Sequence, residues 1–207
     1  MLLPAGSQEA VRWLTTEQEL AALHIETTLG VAAQRLTRSS DGWRLLLSDD
    51  SHADADIVVI ATGSDARQPL KTDLTGVHTL RTLDDHVRLR AAFEHARNLV
   101  VVGGGFIGCE VASAARAWGI SATVVEALPQ PLARVLGDDV GSVCAQLLRD
   151  NGVDVLCGRS VTGIVGEAGR TTGVRLTEDL VLPADVALVA VGARPATDWL
   201  IDSPLTV

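Results

Sequence analysis

Residues 98–126, NLVVVGGGFIGCEVASAARAWGISATVVE, decide how this chain folds. Leu99 to Val102 form an unbroken apolar run, the pattern of a parallel strand covered on both faces. Gly103, Gly105 and Gly108 then fill the glycine positions of G-x-G-x-x-G. The first serves a tight turn, the second lets the backbone approach a pyrophosphate, and the third permits close packing of helix on strand. The spacing predicts a helix after the glycines, with Ile107, Val111, Ala114, Ala115 and Trp118 on one apolar stripe. Such a helix aims free N–H groups and a partial positive charge at whatever sits on its N-terminus, which suits a diphosphate. A second strand, Ser121 to Val125, runs into Glu126, 18 residues past the last glycine. A glycine pattern alone is weak evidence; strand, turn, helix, strand and terminal acid in this order define a dinucleotide-binding βαβ unit.

Composition narrows the remaining choices. A chain of 207 residues that is 47% hydrophobic has ample material for a buried core. Its longest apolar runs, Ile57 to Ala61 and Val186 to Val191, are far too short to span a membrane, and MetLeuLeuPro lacks the charged start and apolar core of a signal peptide. The default location is therefore the cytoplasm. With 26 acidic against 17 basic residues and no basic cluster interleaved with aromatics, nucleic acid is not an expected partner. Cys109, Cys144 and Cys157 fit neither a disulfide framework nor a C-x-x-C redox or zinc motif, and no metal site is expected. They read as buried thiols in a reducing compartment. Cys109 lies where a helix dipole lowers a thiol pKa, but a small apolar packing role is the better reading.

Outside the βαβ unit, Thr15 or Thr16 is placed to cap a short helix ahead of Glu19 within residues 7–24. Gly30 to Leu36, Trp43 to Leu47 and Ile57 to Ala61 read as strands, the first two paired around an Asp41-Gly42 turn. The third runs into Ala61-Thr62-Gly63, a strand end where the backbone can approach a ligand. Arg67 to Thr75 is the linker candidate, and a helix is expected over Asp84 to His95. Beyond Glu126, Asp138 or Asp139 caps a helix whose Val140, Val143, Cys144, Leu147 and Leu148 recur at helical spacing. A strand at Val153 to Leu156, a hairpin over Ser160 to Thr177 and a buried strand, Asp185 to Val191, complete the pattern. Gly163, Gly166 and Gly169 are turn residues, because no helix follows them. The order is βαβαβ, an antiparallel meander and a last strand.

Several motifs together carry a family likeness: Ala61-Thr62-Gly63, ArgThrLeuAspAsp at 81–85, GGGFIGCE at 103–110, Glu126, ProLeuAlaArg at 131–134 and ValGlyAlaArgPro at 191–195. In this order they resemble the FAD-dependent pyridine nucleotide-disulfide oxidoreductase superfamily, and within it the ferredoxin, rubredoxin and putidaredoxin reductases. The likeness implies an α/β fold: a Rossmann-type three-layer dinucleotide-binding domain with a small antiparallel meander, preceded by part of a second, FAD-type domain. The expected division is 1–70 as the remnant of an FAD-binding domain, 71–200 as the NAD(H)-binding domain and 201–207 as a tail. It further implies that Gly103, Gly104, Gly105, Phe106, Ile107, Gly108, Glu126 and Arg134 hold NAD. Glu110, the candidate catalytic residue, and Gly192 would lie near the nicotinamide, and Thr62 and Gly63 would line the flavin side. A carboxylate at Glu126 accepts from ribose hydroxyls and repels a 2′-phosphate, which favours NADH over NADPH.

A complete reductase of this kind begins with its own glycine loop for FAD and continues past the NAD domain. Neither part is in the sequence, so the chain is expected to be a fragment, and flavin binding by it alone is in doubt. A thioredoxin-reductase C-x-x-C would fall within the region present and is absent. The implied function is NADH binding in a flavin-dependent oxidoreductase that passes hydride from NADH to FAD and electrons to a ferredoxin- or rubredoxin-type acceptor. The alternative is a truncated, non-redox NAD(H)-binding module that senses the nucleotide or docks to a separate flavoprotein subunit. A homodimer is also left open.

Overall fold

An apolar run must be covered on both faces, and residues 99–102 are: Leu99 and Val101 lie in one buried cluster, Val100 and Val102 in another. The computed structural model describes residues 14–206. These form two units, 66–194 and a smaller one built from 14–65 with 195–206.

The smaller unit begins with helix α1 (Glu17–Ala22), which buries no side chain and is held by its cap. Thr16 Oγ1 accepts the Glu19 N–H at 3.3 Å while Glu19 Oε2 accepts the Thr16 N–H at 2.8 Å, a reciprocal capping box. Of the expected helical segment, residues 7–13 lie outside the described residues. An antiparallel sheet follows, with β1 (Ala33–Arg38), β2 (Trp43–Leu47) and β3 (His52–Ala55) in sequence order. Arg38 opposes Trp43 around the expected turn, and its guanidinium stacks 3.9 Å from the indole centroid. Across the sheet Arg44 Nε and Nη2 bond Asp54 at 2.7 and 2.8 Å; the pair is half-exposed and contributes little to stability. Strand β1, with Leu36 buried, packs against the 3₁₀ turn at 198–200, where Leu200 is buried.

Two strand expectations in this unit require correction. Gly30 to Leu36 gives way to β1 starting at Ala33, and Ile57 to Ala61 is not a strand. A ladder needs a partner, and among the described residues 57–61 has none: Ile57 and Val59 are 81% and 83% exposed. The pairing goes instead to His52–Ala55, whose four exposed residues carry no apolar alternation by which to see it.

Strand β4 (Ser64–Ala66) falls where the chain passes into the larger unit. The elements that follow are β5 (Val77–His78), α2 (Leu83–Phe93), β6 (Asn98–Val102), α3 (Phe106–Ala117), β7 (Ser121–Glu126), α4 (Ala133–Asp150) and β8 (Val153–Cys157). Then come β9 (Val161–Glu167), β10 (Arg170–Leu176), β11 (Val181–Pro183) and β12 (Val186–Val189), with β13 (Ala193–Pro195) where the chain leaves the unit. Five strands form a parallel sheet in the order β5-β12-β6-β7-β8. Helices α2, α3 and α4 cover one face through Leu89, Phe93, Val111, Ala115, Ala145 and Leu148. The β9-β10-β11 meander covers the other through Val174 and Leu176. This is the three-layer α/β arrangement. Each fully buried leucine, such as Leu89, Leu99 or Leu188, contributes about 1.5–3 kcal/mol by leaving water.

Helix faces depart from their expected stripes at two places. On α3 the buried positions are Gly108, Val111, Ala112 and Ala115, while Ile107 is 43% exposed. On α4 the small residues Gly141 and Ala145 face inward with Leu148, leaving Val140, Val143 and Leu147 exposed. A Cβ at 141 would stand 2.6 Å from the Pro131 carbonyl oxygen, so the backbone approaches too closely there for a larger residue. Gly137 interrupts α4 with φ +78°, and the cap expected at Asp138 or Asp139 is not formed, since both lie inside α4, whose N-cap is Leu132 with no side-chain cap bond. The meander gains a third strand, β11, beyond the expected hairpin. The linker candidate is irregular but tethered, since Thr75 donates its N–H to Gly169 O at 3.0 Å and accepts from Thr171 N–H at 2.9 Å.

Candidate functional site

The five parallel strands end on one edge of the sheet, where a doubly wound fold presents its backbone to ligands. At the centre of that edge the glycine loop follows β6. Gly103 extends the ladder by donating to Val125 O at 2.8 Å, then turns with φ +104°. A Cβ there would meet Ala190 O at 2.6 Å, so only glycine lets the loop pass the end of β12. Gly108 sits under the loop, where a Cβ would collide with Gly103 O and touch Val101. Gly105 is different: among the described residues nothing lies within 4 Å of its Cβ position. It is also the N-cap of α3 and supplies no side-chain cap, so the helix offers its first N–H groups outward.

The loop is locked from two sides. Glu126 Oε2 accepts the Gly104 N–H at 2.6 Å and its Oε1 accepts the Leu128 N–H at 2.8 Å. Leu132 donates to Gly104 O at 2.8 Å, bringing the turn before α4 against the loop. Cys109 Sγ donates to the same carbonyl at 3.5 Å. Burial, followed by the neighbouring Cys144 and Glu126, pushes the Cys109 thiol up to about 11, so it is a packing residue and not an activated thiol.

These elements frame a cleft of about 630 Å³ within the larger unit. Of the expected nucleotide residues, Gly103, Gly104, Gly105, Phe106, Ile107, Glu126, Arg134 and Gly192 line it. Gly108 lies buried beneath it, Glu110 is exposed on α3 away from the lining, and Thr62 and Gly63 belong to the smaller unit. The Thr62 hydroxyl donates to Ala196 O at 2.8 Å. Arg81, Arg159 and Ser160 also line the cleft and were not singled out as site residues from sequence. Arg159 had a usable signal: it follows β8, and residues after each parallel strand converge on this edge. With Arg81, Arg134 and Arg159 against Glu126, the cleft is lined by more cations than anions in a chain of net charge −9. An open glycine, an uncapped helix start and an acid fixed at the next strand end fit a dinucleotide. Among the described residues the glycine loop at 103–108 is the one that opens a helix in this way, and its fit is to one dinucleotide.

Fold and cleft thus define a Rossmann-type dinucleotide-binding protein. The similarities to known proteins agree: residues 6–207 match the pyridine nucleotide-disulphide oxidoreductase family, and the chain belongs to it. It is 44% identical over 152 residues to the ferredoxin–NAD(+) reductase subunit of the benzene 1,2-dioxygenase system of Pseudomonas putida, covering 72% of this chain and 37% of the relative. It is 34% identical over 196 residues to the corresponding component of the biphenyl dioxygenase system of Paraburkholderia xenovorans LB400, covering 94% and 47%. Among solved structures, the covalent putidaredoxin reductase–putidaredoxin complex superposes with TM-score 0.87 at 29% identity, over 94% of this chain and 48% of the other. A ferredoxin reductase from Rhodopseudomonas palustris gives 0.82 at 31% identity, over 90% and 46%. The chain therefore spans less than half the length of these relatives.

Proposed function

We propose that this chain is the NADH-binding part of a flavin-dependent oxidoreductase of the ferredoxin reductase type. The observation that carries the reading is the open Gly105 N-cap beside Glu126, whose two oxygens are pinned by backbone N–H groups. Pinning holds the carboxylate at the strand end, where its remaining lone pairs can accept from ribose hydroxyls. The α3 N-terminus would receive the diphosphate, with Arg134 close to the loop through Leu132, and Gly192 would flank the nicotinamide side. Glu110 is proposed to act only at a distance, as a negative charge on the helix that carries the loop. The bound cofactors supply hydride transfer from NADH to FAD and delivery of electrons to an iron–sulfur acceptor; the protein supplies binding, orientation and electrostatics. The flavin site would be completed by residues outside this cleft, with Thr62 and Gly63 on the flavin side and residues 1–70 as the FAD-domain portion. The reductase names of the relatives favour this reading over a sensing module. Among the described residues no helix is long and apolar enough to cross a membrane. A cytoplasmic location is part of the proposal, resting on the likeness to the reductases.

The test is an anaerobic absorbance spectrum of the full chain with FAD and a ferredoxin, before and after NADH. Bleaching of the flavin's visible band, followed by ferredoxin reduction, is the expected result for a chain that completes the site. Binding of NADH without flavin reduction would restrict the function to the nucleotide half.

A further inference from the structure

Glu126 alone does not settle the choice between NADH and NADPH, because an arginine stands beside it. Arg159 lines the cleft, and its backbone N–H donates to Glu126 O at 3.1 Å. Its side chain therefore starts from the strand end that faces the adenosine ribose. Arg134, by contrast, is rooted on the glycine-loop side, two residues after Leu132. An arginine near the ribose is the group that accommodates a 2′-phosphate, because its planar guanidinium pairs with phosphate oxygens. In this structure that guanidinium is engaged: Arg159 Nη1 bonds Glu178 Oε2 at 2.5 Å. Glu178 lies in the turn between β10 and β11, on the meander and not among the residues lining the cleft.

We propose that Glu178 determines dinucleotide preference by withholding Arg159 from the 2′-phosphate of NADPH. Two carboxylates then act together. Glu126 receives the unphosphorylated ribose, and Glu178 neutralises the cation that would welcome the phosphate. The pair is partly exposed, with side chains 41% and 76% accessible, so the effect is one of preference and not of exclusion. It rests on the cleft being the dinucleotide site.

The test measures Kd for NADH and NADPH with the full chain and with E178Q, R159A and the double variant. Removing the Glu178 charge should tighten NADPH by roughly twofold to fivefold, the scale of an exposed charge pair, and leave NADH unchanged. The gain should vanish in the double variant and shrink as salt is raised. An NADPH-to-NADH ratio that does not move in E178Q, or a gain that survives loss of Arg159, overturns the proposal while leaving the cleft assignment intact. Failure of the unaltered chain to bind either nucleotide overturns the cleft assignment and the proposal with it.

Discussion

At the residue scale the glycines of the loop have separable duties. Gly108 is needed for packing, since a Cβ there collides with Gly103 O, whereas Gly105 faces open space. Gly108→Ala should therefore lower the thermal midpoint, and Gly105→Ala should fold with an unchanged midpoint but weaken NADH by about tenfold or more through loss of close backbone approach. Thermal melts and NADH titrations of both variants check this; equal loss of stability in the two would contradict it. The motif was legible at this scale because each glycine answers a backbone requirement. Arg81 and Arg159 were harder to see because their relevance depends on which side of the sheet a loop emerges, which local spacing does not encode. At Cys109 the packing role preferred from sequence agrees with the structure, where burial raises the thiol pKa against the pull of the helix dipole.

At the element scale, β5 is a two-residue edge strand whose His78 pairs with Leu188 of β12. Burial first and the Arg88 charge second hold the His78 pKa below its ordinary value, with Asp85 opposing them. The folded chain thus binds fewer protons than the unfolded one once the unfolded histidine titrates. This part of the stability is complete above about pH 6.5 and is lost as pH falls through that value toward the lower folded pKa. His78→Gln should lose less stability than the unaltered chain between about pH 7.5 and pH 5.5, measured by urea midpoints; an identical acid loss would rule out this role. Elements were readable where periodicity and burial agree, as in β6 and β7. They were misread where burial depends on partners: 57–61 has strand composition but no ladder, and α4 turns its small residues inward because its backbone packs against the turn at 130–131. Strand β3 was invisible because an exposed edge strand needs only backbone pairing.

At the scale of the molecule, the larger unit holds the complete glycine loop, strand-end acid and cationic cleft within residues 66–194. The unbroken apolar strands announced its three layers, since each must be covered by helices on one face and by the meander on the other. Residues 195–206 packing with 14–65 could not be read from sequence, because the contact between β1 and the turn at 198–200 links distant segments. The proposed NADH site in the larger unit is open to a direct binding measurement. Calorimetric titration of the full chain with NADH tests it most directly. Saturable binding of about one NADH per chain is expected, weakened when Glu126 is replaced by Arg, with the preference for NADH over NADPH reduced. Absence of binding, or binding indifferent to Glu126, would contradict it.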